Sequence, residues 1–105
     1  MNDRFLSLLG MARRSGSLSL GHDAAVSSVV KSRAKLCVLS FEGSDRLKKE
    51  MNHACTYGGK NIPLLITDYT ITELSAAIGS KAAVITVDDD GFAKALQERY
   101  TDRKE

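Results

Sequence analysis

The run Leu36-Cys37-Val38-Leu39 is apolar at every position and is preceded by Lys35. A strand with one face in water alternates apolar and polar residues; a strand covered on both faces does not. The run therefore predicts a buried central strand, and such a strand needs helices packed over its sheet. The rest of the chain supplies them. Phe5, Leu8, Leu9 and Ala12 recur at helical spacing, which predicts a helix over residues 2–14 stopped by Gly16. Leu47, Met51, Ala54 and Cys55 mark another, with Ser44 as its N-cap and Tyr57 to Asn61 closing it. A strand is expected at Ile62 to Ile66, with the only proline, Pro63, near its start. A short helix opens at Thr67 or at Tyr69-Thr70, runs through Leu74, Ala77 and Ile78, and ends at Gly79. The last strand spans Ala82 to Val87, and Phe92, Ala95 and Leu96 supply the apolar face of a final helix before a charged tail from Thr101 to Glu105. The sum is four strands and five helices in alternation, an α/β sandwich around a mostly buried sheet, in one domain over residues 1–105.

The stretch from Gly16 to Ser27 is the most informative corner. Gly16 and Gly21 bracket a very short strand, Leu18-Ser19-Leu20, and a helix opens directly on Gly21 and runs to about Ser32. Ala24, Ala25, Val29 and Val30 are expected to form its buried stripe. A helix N-terminus carries unpaired N–H groups and a partial positive charge, so such a corner suits a polar or anionic ligand. It also suits a plain turn, with Asp23 favoured there only by the helix dipole.

Charge sharpens the choice. Net charge is only +2, but residues 1–60 hold ten Lys/Arg against five Asp/Glu, while residues 61–105 hold five against eight. The basic half contains the Gly21 corner, which favours an anionic partner, nucleic acid being the commonest. Solvated helix faces would give the same count. No apolar run approaches the roughly 20 residues of a membrane span, and the N-terminus lacks the apolar core of a signal peptide, so a cytoplasmic protein without a membrane partner is expected. Cys37 and Cys55 make no Cys-x-x-Cys pair; Cys37 is expected in the core, Cys55 at a more open position.

A search for catalytic chemistry finds little. His22 and His53 stand far apart without neighbouring ligands at metal spacing. Asp88-Asp89-Asp90 could suggest magnesium, but an acidic turn opening the last helix accounts for it. There is no Gly-x-Gly-x-x-Gly, no phosphate-loop lysine, and no serine or cysteine with a recognisable base. No cofactor and no enzymatic activity are expected.

Taken in order, Leu8-Leu9-Gly10-Met11-Ala12-Arg13-Arg14-Ser15-Gly16, Leu20-Gly21, Ala34-Lys35-Leu36-Cys37-Val38-Leu39, Ala77-Ile78-Gly79 and Asp90-Gly91-Phe92-Ala93-Lys94 resemble the L-seven-Ae ribosomal-protein family, and within it the small bacterial YlxQ-type branch. The resemblance covers roughly residues 4–97. It implies a three-layer α/β/α sandwich around a four-stranded mixed sheet, no catalysis, and binding to structured RNA of kink-turn type, whether ribosomal RNA or another; the ribosome as a partner and a monomeric chain are further expectations, though the sequence does not fix the oligomeric state. The family's RNA signature is Gly-x-Asn-Glu-x-x-Lys at the start of the second helix. Gly21 matches it, but Asp23 replaces the Asn, Ala24 the Glu and Ser27 the Lys. Ala24 can neither accept from a guanine edge nor neutralise phosphate, so weak or altered kink-turn binding is expected. Gly21, His22, Asp23 and Ser27, with Lys31 and Lys35 along the backbone track, are the expected RNA contacts. The resemblance adds the loop after the last strand, where Thr86 and Val87 stand. Two alternatives remain: a protein-interaction domain that has lost RNA binding, and a small metal-dependent enzyme built on the acidic turn.

Overall fold

The computed structural model describes residues 3–102. Helix α1 (Arg4–Arg14) starts on Asp3, whose carboxylate accepts from the Leu6 N–H at 3.0 Å. There follow β1 (Leu18–Leu20), α2 (His22–Val30), β2 (Leu36–Ser40), α3 (Asp45–Thr56), a single 3-10 turn (Tyr57–Gly59), β3 (Leu64–Thr67), α4 (Ile71–Ile78), β4 (Val84–Val87) and α5 (Asp90–Asp102). The strands form one mixed sheet in the order β1-β4-β2-β3. β4 runs antiparallel to both β1 and β2, and β2 pairs parallel with β3.

Helices cover both faces. Phe5 and Leu9 of α1, Leu74 and Ile78 of α4, and Ala93, Leu96 and Tyr100 of α5 pack on Leu36, Val38, Ile85 and Val87. On the other face Ala25 and Val29 of α2 and Met51 and Cys55 of α3 pack on Cys37, Leu39 and Val84. Alternate residues of β2 thus enter opposite cores, as its unbroken apolar run requires. The result is a three-layer α/β/α sandwich, and no helix among the described residues is long and apolar enough to cross a membrane.

Several elements differ in detail from the sequence reading. β3 begins at Leu64, and Pro63 lies just before it, its carbonyl accepting from Cys37 N–H at 2.9 Å. α4 opens at Thr70, where Thr70 and Glu73 exchange hydrogen bonds as a capping box. Cys55 is as buried as Cys37. The two thiols interact across β2 and α3: the hydrogen bond to Cys55, with burial added, pushes the Cys37 thiol up, while the same bond lowers that of Cys55. Thr101 and Asp102 continue α5, whereas residues 103–105 of the expected tail, and Met1 and Asn2 of the first expected helix, lie outside the described residues. The buried face of α2 is Ala25, Ser28 and Val29, while Ala24 and Val30 are exposed. Positions 25, 28 and 29 stack on one side of a 3.6-residue helix, and 24 and 30 turn away from it. The expected stripe therefore gains a serine and loses two apolar residues.

Candidate nucleic-acid interface

Gly21 closes β1 and opens α2 in one residue. Its N–H donates to Val84 O at 3.0 Å, adding a rung to the β1–β4 ladder, and its carbonyl accepts from Ala25 N–H at 2.9 Å, the first bond of the helix. Its backbone sits at φ 87° and ψ 171°, a region essentially confined to glycine, where another residue costs on the order of 1–3 kcal/mol. A β-carbon there would meet nothing within 4 Å, so the backbone angles, not crowding, dictate glycine. No side chain caps this helix start, which leaves its first N–H groups facing outward.

The strand directions decide what surrounds this corner. Ser40 N–H donates to Ala83 O at 3.1 Å and Phe41 N–H to Thr67 O at 2.9 Å, so the loops after β2 and β3 and the segment entering β4 share the sheet edge with Gly21. Half-exposed Phe41 stands there, its carbonyl held by Lys48 Nζ at 2.8 Å, and Lys81 is exposed in the segment before β4. None of these was singled out from the sequence. β1 and β2 are parallel and joined by a crossover helix, so the loop after β2 must lie at the Gly21 edge; that connectivity was the available signal.

The expected contacts do not all gather at this edge. Gly21, His22 and Asp23 lie on it, and Ser27 is half-buried midway along α2. Lys31 caps the far end of α2, about 14 Å away at 1.5 Å per residue. Lys35 N–H donates to Val87 O at 2.7 Å and Asp88 N–H to Ser17 O at 2.8 Å, both at the opposite edge. Thr86 and Val87 are fully buried, so their side chains present nothing to a ligand. The loop after β4 is remote from Gly21 because β4 runs against β1 and enters the sheet beside the corner.

His22 ties the corner to α3. Its Nδ1 lies 2.9 Å from Asp23 Oδ1 and its Nε2 2.7 Å from Glu50 Oε2. The hydrogen bond to Asp23, then that to Glu50, raise its pKa above the ordinary value of 6.5. A raised folded value means that the clamp's stabilisation is fully present below the unfolded pKa and is lost as pH rises through the folded one. The urea midpoint of the native protein should therefore fall slightly between about pH 6 and pH 8.5, on either side of the His range. His22→Gln should reduce that fall; identical profiles would show that the clamp does not bind a proton on folding.

The acidic turn separates into three roles. Asp90 opens α5, and Asp89 Oδ2 accepts from Phe92 N–H at 2.8 Å, as acids at a helix start do. Asp88 turns inward instead. Its carboxylate accepts from Ser19 Oγ and Ser28 Oγ, both at 2.6 Å, and from Thr86 Oγ1 at 3.1 Å. This node pins β1, α2 and β4 together beneath the helix that carries the corner. Among the described residues no three His, Cys, Asp or Glu side chains converge as a metal site would need.

A mixed sheet between two helical layers, with a glycine-opened helix N-terminus exposed at one edge, makes this an α/β/α sandwich module. The chain belongs to the ribosomal protein L7Ae/L30e/S12e/Gadd45 family, whose model matches residues 3–97. It is similar to the RNA-binding protein YlxQ of Bacillus subtilis (strain 168), 31% identical over 90 residues covering 85% of this chain and 87% of that one. It is also similar to the RNA-binding protein YlxQ of Enterococcus faecium, 27% identical over 93 residues, or 89% and 87% of the two chains. Among solved structures, a Bacillus halodurans protein of unknown function superposes with a TM-score of 0.88 at 31% identity, over 95% of this chain and 99% of that one. A Giardia lamblia 15.5kD RNA binding protein shares the fold, with a TM-score of 0.73 at 16% identity over 99% and 91% of the two chains.

Proposed function

We propose that this protein is a non-catalytic RNA-binding module of the translation apparatus, working in the cytoplasm, that meets structured RNA of kink-turn type at the sheet edge built around Gly21. The observation that carries the reading is the uncapped, outward-facing start of α2 on a glycine whose φ of 87° few other residues tolerate. Backbone N–H groups so presented suit phosphate or a base edge. Two relatives named as RNA-binding proteins, each similar over most of its length, support the same reading. Asp23, fully exposed, and Glu50 place two carboxylates at the edge, and Ala24 offers no polar group, so the binding is weak. His22, set between the two carboxylates, offsets part of their charge when protonated.

Anisotropy titrations with a labelled kink-turn RNA, and with the same duplex lacking the bulge and the tandem G·A pairs, test this. The kink-turn should bind more tightly by about tenfold, or about 1.4 kcal/mol. Its affinity should fall with salt with a log–log slope of about 2–4, at 0.7–0.9 per phosphate contact. Equal affinity for both RNAs would remove the kink-turn reading, and no binding to either would favour a protein-interaction domain.

A further inference from the structure

We propose a second RNA site, remote from the Gly21 edge: a groove between the C-terminal ends of α2 and α3 that holds an unstacked nucleotide of single-stranded RNA. The proposal rests on RNA being the partner, but not on the kink-turn reading. Val29, Val30, His53, Ala54, Tyr57 and Lys60 line a groove of about 310 Å³. That volume is at the lower end of ordinary small-ligand sites, of the order a nucleotide needs.

Three observations select the occupant. First, Tyr57 is 68% exposed, while Tyr69 and Tyr100 are buried. Its ring leans on that of His53, with centroids 5.3 Å apart and planes at 41°, so it is braced rather than free. A braced aromatic beside exposed Val30 is a surface on which a base can stack, and stacking tolerates any base. Second, the groove's charge is of one sign. No carboxylate lines it, Lys60 is on its wall, and Lys31 caps α2 directly after Val30. Neither lysine makes an ion pair with a described residue. The helix C-termini alone would repel phosphate, and these two lysines reverse the local sign. Third, the topology adds one more cation, Lys35, to this end. Lys35 precedes β2 and Lys60 precedes β3, and β2 and β3 run parallel, so both enter from the same sheet edge. Asp88, Asp89 and Asp90 also lie at that edge, but the Asp88 carboxylate is taken up by the hydroxyls of Ser19, Ser28 and Thr86, and Asp89 and Asp90 stand where the chain passes into α5, whose buried face packs in the other core. The groove is too small for a stable protein interface, and it joins an apolar surface at Val29, Val30 and Ala54 to the aromatic and cationic groups of His53, Tyr57 and Lys60, the combination that stacks a base and holds its phosphate.

Three RNA probes resolve the two sites: a 12-nucleotide oligouridine, a blunt kink-turn duplex, and the same duplex with a single-stranded uridine tail. The oligouridine should bind the native protein and shift the Tyr57 ring protons in NMR spectra upfield, leaving those of Tyr69 and Tyr100 in place. Tyr57→Ala should weaken it about five- to a hundredfold, the equivalent of about 1–3 kcal/mol for one stacked base. Tyr57→Phe should restore it, because stacking does not use the hydroxyl. Lys31→Glu and Lys60→Glu should each weaken binding and lower the salt slope by about one. Affinity for the blunt kink-turn should not change in Tyr57→Ala, whereas the tailed RNA should lose its added affinity. Oligouridine binding that is equal in native protein and Tyr57→Ala, or unmoved Tyr57 ring protons, would overturn the groove. Failure of the blunt kink-turn to bind, with the oligouridine still held at Tyr57, would overturn the function proposed for the Gly21 edge and leave the groove standing.

Discussion

Replacing Asp88 with alanine should lower the melting temperature by about 10–20 °C. The half-buried carboxylate accepts from three hydroxyls, and two of the donors, Ser28 and Thr86, are completely buried. Hydrogen bonds to a charged group contribute about 1.5–3 kcal/mol each, and a buried polar group left unpaired costs about 1–3 kcal/mol. The three bonds share one acceptor and do not add in full, so the net loss should be about 2–4 kcal/mol. A domain of this size shifts by about 4–5 °C per kcal/mol. Asp88→Asn keeps one acceptor oxygen and lets a hydroxyl reverse its role, so it should cost about half as much. Thermal melts followed by circular dichroism decide it. A loss under 1 kcal/mol for Asp88→Ala would mean that water takes the place of the carboxylate and that the node does not hold β1, α2 and β4 together.

Asp88 also shows where sequence reading reaches its limit. Three adjacent aspartates before a helix look alike in the sequence, and the helix dipole accounts for all of them equally. Only Asp89 and Asp90 serve the helix. Asp88 is set apart by donors at positions 19, 28 and 86, and nothing in the local pattern ties those serines and that threonine to it. Ser28 was hidden for the same reason: a polar residue on a helix reads as outward unless its partner is known. The layers were legible because they follow from local rules. An unbroken apolar run such as Leu36 to Leu39 requires cover on both sides, and the periodic helices provide it. The direction of β4 was not legible. A last strand can enter a sheet from either end, and its direction decides whether Thr86 and Val87 or Ala83 and Lys81 stand beside Gly21. Legible in the sequence was the corner itself, Gly21, His22 and Asp23, which one segment makes; the neighbours that long-range pairing brings beside it were not.

The largest functional gain should come from restoring the polar residues at the start of α2. Asp23→Asn, Ala24→Glu and Ser27→Lys together recreate the pattern that this family resemblance associates with kink-turn recognition. The structure explains why the fold should tolerate all three. The Asp23 side chain is fully exposed, Ala24 is exposed and Ser27 half-buried, while the face that packs in the core is Ala25, Ser28 and Val29. Asparagine at 23 can still accept from His22. Glutamate at 24 lies in the first turn, where the dipole favours it. Such a glutamate often folds back on the N-cap N–H, but the Gly21 N–H is already given to Val84 O, so the new carboxylate stays available to a guanine edge. Lysine at 27 can lay its stem along the half-buried position and keep its charge in solvent. One added base-edge acceptor is worth roughly 1–3 kcal/mol on the scale of duplex readout, and the added cation contributes one phosphate contact. The triple variant should bind a kink-turn RNA about ten- to a hundredfold more tightly than the native protein, at about 1.4 kcal/mol per tenfold, and should gain about one unit of salt slope. Its affinity for a plain duplex should rise only by the share due to the lysine, which Ser27→Lys alone measures. A variant that melts like the native protein yet gains nothing on the kink-turn would mean that the Gly21 edge does not face RNA. A native protein that already binds the kink-turn at nanomolar concentration would instead show that the backbone N–H groups of this corner suffice without the missing side chains.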